Sequence, residues 1–162
     1  MAPVAPLVVL VQGSGEYRIG TDYRERLVTG SYGPFELSVV SGDIPSGLAI
    51  DDEGYLWGRL GVSGRFEARF EVADSAGRTG SGTVSIFVKE FRLITARGGS
   101  VTVVVAGNSV EFFSALQGAD FESAQILRSG PIVVEVSFVP KVGDETSWVR
   151  CEVVEEVVCT HG

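Results

Sequence analysis

Apolar and polar residues alternate along many short runs of this sequence. Between Phe66 and Val72 every second residue is apolar, and Glu67, Arg69 and Glu71 fill the positions between. A period of two is that of a strand with one buried face, because successive side chains of a strand point to opposite sides. Valine recurs in such runs, and its branched β-carbon suits a pleated sheet better than a helix. The pattern predicts an all-β protein.

Turn signals separate these runs at the spacing of a β-sandwich. The chain contains 21 glycines, and the clusters at 51–54 and 74–77 combine Asp with a final Gly, which is typical of tight turns. About seven strands fit into the first 90 residues, with a turn roughly every 8–12 residues, as in a sandwich. The predicted core of this part consists of Leu37, Leu48, Leu56, Phe66, Phe70 and Ile86.

Several of these strands and turns follow one another in the order of a known family. The matching segments are SGDIPSGLAI at 41–50, GYLWG at 54–58, GRF at 64–66 and VADSAGRT at 72–79. Together they resemble the immunoglobulin-like repeat of bacterial surface and phage proteins, over about residues 22–88. The chain departs from that repeat at Ile44, where leucine is usual, and at Leu60, where proline is common. The resemblance implies an immunoglobulin-like β-sandwich with a scaffold role and no catalytic site.

The rest of the chain continues the strand pattern without resembling a family. Residues 106–108 lie between two apolar runs and predict a hairpin, and a short helix fits only between Ala115 and Leu127, where Gly118 disfavours it. Two inward-facing rows are predicted, Ile132, Val134, Val136 and Phe138 in one run and Val149, Cys151, Val153 and Val157 in another. We therefore predict an immunoglobulin-like domain over residues 1–90 and a second small β domain over 91–162, which could also extend the first sheet.

The charge distribution argues against nucleic acid and membrane as partners. Residues 1–90 contain 12 acidic and 8 basic residues and residues 91–162 contain 9 and 5, so each part carries −4 of the net charge of −8. Phosphate neutralisation needs a basic surface instead. No stretch approaches the ~20 apolar residues of a membrane-spanning helix, and the apolar run after Met1 lacks the basic residues of a secretion signal. We expect synthesis and folding in the cytoplasm.

The two cysteines are predicted to stay reduced. Cys151 and Cys159 lie eight residues apart in what reads as one strand. At ~3.3 Å per residue their separation would be about 26 Å, far beyond the reach of a disulfide. Two small buried, dispensable side chains are therefore expected. A hairpin between the two residues would remove this argument.

Candidate residues for catalysis or metal binding are few. The one histidine, His161, is next to the end of the sequence, where a rigid catalytic arrangement is hard to build. The acidic residues Asp51, Asp52 and Glu53 could hold calcium or act as an acid/base pair, but a turn is the simpler interpretation. Asp74 is expected to accept hydrogen bonds from its own turn. We predict no catalytic residue, no cofactor and no metal.

Exposed aromatic residues would indicate a glycan platform. The candidates are Tyr17, Tyr23, Tyr32, Tyr55, Trp57 and Trp148. Aromatic rings also fill sandwich cores. Trp57 is predicted to be a core residue because it sits inside a strand that matches the immunoglobulin-like repeat, and Trp148 is left open.

These observations favour a non-enzymatic interaction protein. We expect a bacteriophage virion component, a capsid decoration or tail-associated protein that binds the major capsid or tail protein and is present as a homo-oligomer or in many copies. The alternative is a secreted or surface-displayed bacterial adhesion or carbohydrate-binding module.

The predicted contact residues are Pro3, Val4, Pro6 and Leu7. They belong to an uncharged apolar arm, which the prolines keep extended and which can dock on a neighbouring subunit. The arm could also form the first strand of its own sandwich.

Overall fold

Strands joined by turns make up the fold. A computed structural model describes residues 8–9, 15–29 and 33–162, and these residues form fifteen strands and no helix. The predicted all-β class is confirmed. Within the described residues, no helix has the length and hydropathy to cross a membrane. The chain divides into two compact units, residues 1–88 and 89–162. That each is an independently folding domain stays a prediction.

The first unit is a sandwich of two sheets. Its strands are β1 (Val8–Val9), β2 (Gly15–Arg18), β3 (Asp22–Arg26), β4 (Val28–Thr29), β5 (Glu36–Gly42), β6 (Leu48–Ile50), β7 (Tyr55–Arg59), β8 (Gly64–Ala73) and β9 (Thr79–Ala96), the last of which continues into the second unit. In one sheet the strand order is β3-β7-β6, and in the other it is β5-β8-β9, with β2 also paired to β9; β1 and β4 form a separate pair.

Both sheets of the first unit contribute to one core. Tyr23 and Leu56 come from the three-stranded sheet, and Phe70, Val84 and Ile86 come from the other. The predicted core residues agree with this cluster: Leu56, Phe70 and Ile86 are buried, whereas Leu37, Leu48 and Phe66 are half-buried and pack against it.

The second unit repeats this construction with other strands. The added strands are β10 (Gly99–Val105), β11 (Val110–Gln117), β12 (Phe121–Ser129), β13 (Val133–Pro140), β14 (Ser147–Val153) and β15 (Val157–His161). The end of β9 pairs with β10, which pairs with β11, and a second sheet has the order β12-β13-β14-β15. The hairpin predicted around residues 106–108 joins β10 to β11.

Alternate residues of these strands form the second core. Val101, Val103 and Val105 point inward from β10, and the opposite sheet contributes the buried side chains Val134, Val136, Phe138, Val149, Cys151 and Val157. Val153 is half-buried against this cluster. Ile132 is an exception to the predicted inward row. It lies just before β13, beyond the core, and is exposed.

The helix that fitted Ala115–Leu127 is not formed. Ala115 belongs to β11, and Leu127 belongs to β12, with a turn between the two strands. In this turn the N–H of Phe121 donates to the carbonyl of Gly118. Pairing with β10 and β13 satisfies the backbone groups on either side, so tertiary pairing decides the conformation here.

The prediction of reduced cysteines is wrong. Residues 147–161 form two strands, β14 and β15, and their register places Cys151 directly opposite Cys159. Trp148 and Gly162 exchange both backbone hydrogen bonds, so the alternating pattern makes Cys151 and Cys159 a non-hydrogen-bonded pair, in which side chains lie closest. Their Cα atoms are 4.0 Å apart and their sulfurs form a disulfide. The 26 Å estimate failed because the chain reverses between them.

This disulfide generates a test of the fold. We expect an intact mass lower by two hydrogens than that of the reduced chain, because the described cysteines are both oxidised. Replacing both by serine should lower the free energy of unfolding by about 2–3 kcal/mol, since a short closed loop constrains the unfolded chain. Denaturant melts of the wild type with and without reductant provide the control. Equal stability of oxidised and doubly substituted protein would contradict a structural role.

Candidate protein-binding face

Strands β3 and β7 present a row of arginines and aromatic rings to solvent. Their antiparallel register places Arg24 opposite Trp57, Arg26 opposite Tyr55 and Asp22 opposite Arg59. These three pairs lie on the same side of the sheet, because every second residue of a strand points to the same side. We call the residues Arg24, Arg26, Tyr55, Trp57 and Arg59 the arginine–aromatic face.

Trp57 is not a core residue, contrary to the prediction. Its side chain is 49% exposed, whereas Leu56 is fully buried. The run Tyr55-Leu56-Trp57 is apolar at every position, so its periodicity does not show which side faces inward. Arg59 gives the missing signal. It lies two residues after Trp57, on the same side of β7, and a charged residue there indicates the solvent side.

Two backbone hydrogen bonds show which residue pairs of β3 and β7 are hydrogen-bonded. The N–H of Leu27 donates to the carbonyl of Gly54 (2.7 Å), and the N–H of Leu60 donates to that of Thr21 (3.0 Å). Counting from these hydrogen-bonded positions, Arg24 and Trp57 form a non-hydrogen-bonded pair, whose side chains lie close together. The register therefore holds a guanidinium beside an indole.

Tyr55 orients two of the arginines. The guanidinium carbon of Arg24 lies 4.3 Å from the centre of the Tyr55 ring, and that of Arg26 lies 5.6 Å from it. Such cation–π contacts are worth about 0.5–1 kcal/mol at exposed sites. Arg26 is held further, because its Nε donates to the carbonyl of Val28 (3.0 Å). Both charges are thus positioned before any partner arrives.

An open groove of about 490 Å³ runs beside Trp57. Its lining residues are Asp22, Tyr23, Arg24, Asp51, Trp57, Gly58 and Arg59. Within the described residues, none of the three arginines of the face forms an ion pair with a carboxylate. The face therefore presents three guanidinium groups and two aromatic rings, and two carboxylates, Asp22 and Asp51, line the groove beside it.

Two of the other candidate aromatic residues do not contribute to this face. Tyr17 and Tyr23 pack edge to face with ring centres 5.2 Å apart, and Tyr23 is buried. Burial raises the pKa of the Tyr23 phenol above its ordinary value, and Tyr17 and Glu25 nearby raise it further. Trp148 is exposed in the second unit, and Tyr32 lies outside the described residues.

The acidic candidates Asp51 and Asp74 accept backbone hydrogen bonds within their own turns. One carboxylate oxygen of Asp51 accepts the N–H groups of Glu53 (3.1 Å) and Tyr55 (2.9 Å). Asp74 accepts those of Ala76 (2.9 Å) and Arg78 (2.8 Å), as predicted. Among residues 15–29 and 33–162, no three potential ligand side chains come together as a metal site.

His161 and the arm complete the set of predicted residues. His161 ends β15 and is exposed. The predicted contact residues Pro3, Val4, Pro6 and Leu7 lie outside the described residues, so their role stays a prediction.

Comparison with known proteins yields no family for this chain. No protein-family model matches the sequence, and no curated protein matches it. Solved structures that resemble it include protocadherin gamma B2 extracellular cadherin domains 1–5 (9% identity, TM-score 0.42, covering 97% of this chain and 38% of that one). The human desmocollin-1 ectodomain has 9% identity and a TM-score of 0.39, covering 100% of this chain and 36% of that one. The protocadherin gammaB7 EC3-6 cis-dimer structure has 10% identity and a TM-score of 0.39, covering 98% of this chain and 46% of that one.

The chain thus spans less than half the length of each of these structures. Because these TM-scores are low, the all-β assignment depends on the strands of this protein itself. The resemblance to the immunoglobulin-like repeat remains one of sequence pattern.

The side of β7 that faces the core can be tested directly. Leu56→Ala should lower the free energy of unfolding by about 2–5 kcal/mol, because it leaves a cavity in the core. Trp57→Ala should lower it by less than ~1 kcal/mol, because this side chain is half exposed. Denaturant melts measure both values. The reverse order of the two losses would show that Trp57, not Leu56, faces inward.

Proposed function

We propose that the protein is a non-enzymatic interaction module that binds another protein through the arginine–aromatic face. One observation carries this proposal: Trp57 is exposed beside Arg24, which stacks on Tyr55. Trp, Tyr and Arg are the residue types that dominate binding energy at protein interfaces. Exposed together on one sheet, they form the kind of patch that a partner can cover.

The chemistry of the face favours a partner with carboxylates. A guanidinium binds a carboxylate through two parallel hydrogen bonds, and Arg24, Arg26 and Arg59 supply three such groups. Trp57 contributes apolar area between them. Because Tyr55 already restrains Arg24 and Arg26, less side-chain entropy is lost on binding. This preorganisation supports recognition by direct contact.

We infer that the setting is a bacteriophage virion. In this setting the protein is a capsid decoration or tail-associated component that binds the major capsid or tail protein in many copies. The support is the resemblance of residues 22–88 to the immunoglobulin-like repeat of phage and bacterial surface proteins. The disulfide is consistent with this setting, since disulfides persist on virion surfaces.

A second candidate is a secreted or surface-displayed bacterial adhesion or carbohydrate-binding module. The Cys151–Cys159 disulfide favours it, because such bonds form in oxidising compartments and are rare in the cytoplasm. The exposed Trp57 also suits a sugar ring, since its face can stack on apolar C–H groups. Immunogold microscopy of phage particles and of bacterial cells distinguishes the two settings: labelled capsids or tails support the virion, and label on the bacterial surface alone supports the second candidate.

A charge-reversal variant tests the face. Arg24→Glu should weaken binding to isolated capsids or tails that lack the protein by about 30-fold, the equivalent of ~2 kcal/mol at a hot-spot residue. Arg69→Glu is the matched control, because Arg69 is an exposed arginine on β8, outside the face. A co-sedimentation titration measures both. Full-strength binding by Arg24→Glu, or equal loss in both variants, would refute the role of the face.

The apolar arm is proposed as a second contact. Pro3, Val4, Pro6 and Leu7 carry no charge, and an extended apolar segment can add to the sheet edge of a neighbour. Deleting residues 2–6 should leave the melting temperature nearly unchanged and abolish attachment to capsids or tails. An unfolded deletion variant would indicate that the arm is a strand of its own sandwich, and undiminished attachment would show that it is not a docking element.

A further inference from the structure

The groove beside Trp57 contains polar groups of both charges. Besides the guanidinium groups of Arg24 and Arg59, the carboxylates of Asp22 and Asp51 line it. Its volume of about 490 Å³ falls within the roughly 300–1,000 Å³ that is usual for small-ligand sites. Hydrogen-bond donors, acceptors and one indole ring around a space of this size suit a small polar ligand.

The charged groups of the groove do not neutralise one another. Asp22 lies opposite Arg59, in a non-hydrogen-bonded pair whose side chains can approach closely, yet within the described residues no ion pair joins the two. Nη2 of Arg59 lies over Gly20 instead, 3.6 Å from the place that a Cβ atom would take there. Asp51 accepts the N–H groups of its turn with one carboxylate oxygen only. Donors and acceptors are therefore both available to a ligand.

This mixture of charges selects among classes of ligand. A segment rich in carboxylates would be repelled by Asp22 and Asp51, and a basic segment would be repelled by the two arginines. An apolar ligand would remove water from charged groups without pairing them, which is costly. A neutral sugar avoids these penalties, because each hydroxyl group can donate to a carboxylate and accept from a guanidinium. The half-exposed ring of Trp57 adds an apolar wall for the C–H side of a sugar ring.

We propose that this groove is a binding site for a neutral saccharide. One sugar ring stacks on Trp57, and its hydroxyl groups donate to Asp22 and Asp51 and accept from the arginines. This inference rests on the second candidate function, the carbohydrate-binding module, and assigns the residues of its site and the charge of its ligand. Asp22 separates it from the protein partner with carboxylates, because the same carboxylate strengthens binding of a sugar and weakens binding of an acidic partner.

A glycan array probed with the full chain, with the disulfide intact, tests this. The array carries neutral oligosaccharides of hexoses and N-acetylhexosamines beside acidic ones that contain uronic or sialic acid, and the neutral class should bind best. Calorimetric titration with the best neutral oligosaccharide then measures the variants. Trp57→Ala should weaken binding by at least about tenfold, the loss expected at an aromatic hot spot. Trp148→Ala is the matched control, because Trp148 is also exposed but lies in the second unit; it should bind like the wild type.

Asp22→Asn decides between a sugar and an acidic partner. It should weaken the neutral oligosaccharide about tenfold, because a charged acceptor is lost, whereas attachment to capsids or tails should stay equal or increase. Asp144→Asn, an exposed acid of the second unit, is its control and should bind like the wild type.

Three results would overturn the saccharide site: a wild type that binds no neutral glycan or prefers acidic ones, equal losses in Trp57→Ala and Trp148→Ala, or folded Asp22→Asn that binds the sugar at full strength. The setting is tested separately. Sugar binding by a protein that immunogold label places on phage particles supports the site and removes only the bacterial surface as its location.

Discussion

The alternation of side chains along each strand is the constraint on which the rest of this structure depends. A strand slipped by one residue exchanges its two faces entirely. In β7 that exchange would bring Leu56 to the surface and bury Trp57, and Arg24 would lose its place beside the indole. The core of the first unit and its arginine–aromatic face are therefore two consequences of one register. Neither can change without the other.

The second unit depends on register in the same way. The turn after Val153 sets the pairing of β14 with β15, and that pairing places Cys151 and Cys159 side by side on the inner face. The same alternation in β10 directs Val101, Val103 and Val105 inward and leaves the outer side of that sheet to Leu93 and Leu116. A buried covalent link on one face and an open apolar surface on another thus follow from local strand pairing.

The sequence allowed the fold class and most of the first core to be predicted, because alternation identifies strands and their inner faces. Phe70 lies between the charged residues Arg69 and Glu71 and is buried as expected, and so is Ile86. Trp57 was misassigned because three consecutive apolar residues hide the period. The disulfide was missed because the turn between Cys151 and Cys159 contains neither glycine nor proline. The pairing of one strand with another, which the pattern within a single run does not encode, decided both.

Cross-strand proton contacts in the NMR spectrum of the wild-type protein test the register of β3 and β7 most directly. Residues of a non-hydrogen-bonded antiparallel pair have Cα atoms only about 4.5 Å apart, so their α-protons give a strong nuclear Overhauser effect. The register described above predicts such a contact between Arg24 and Trp57. A strong contact of the Arg24 α-proton with that of Leu56 instead would place Trp57 on the inner face and contradict the account.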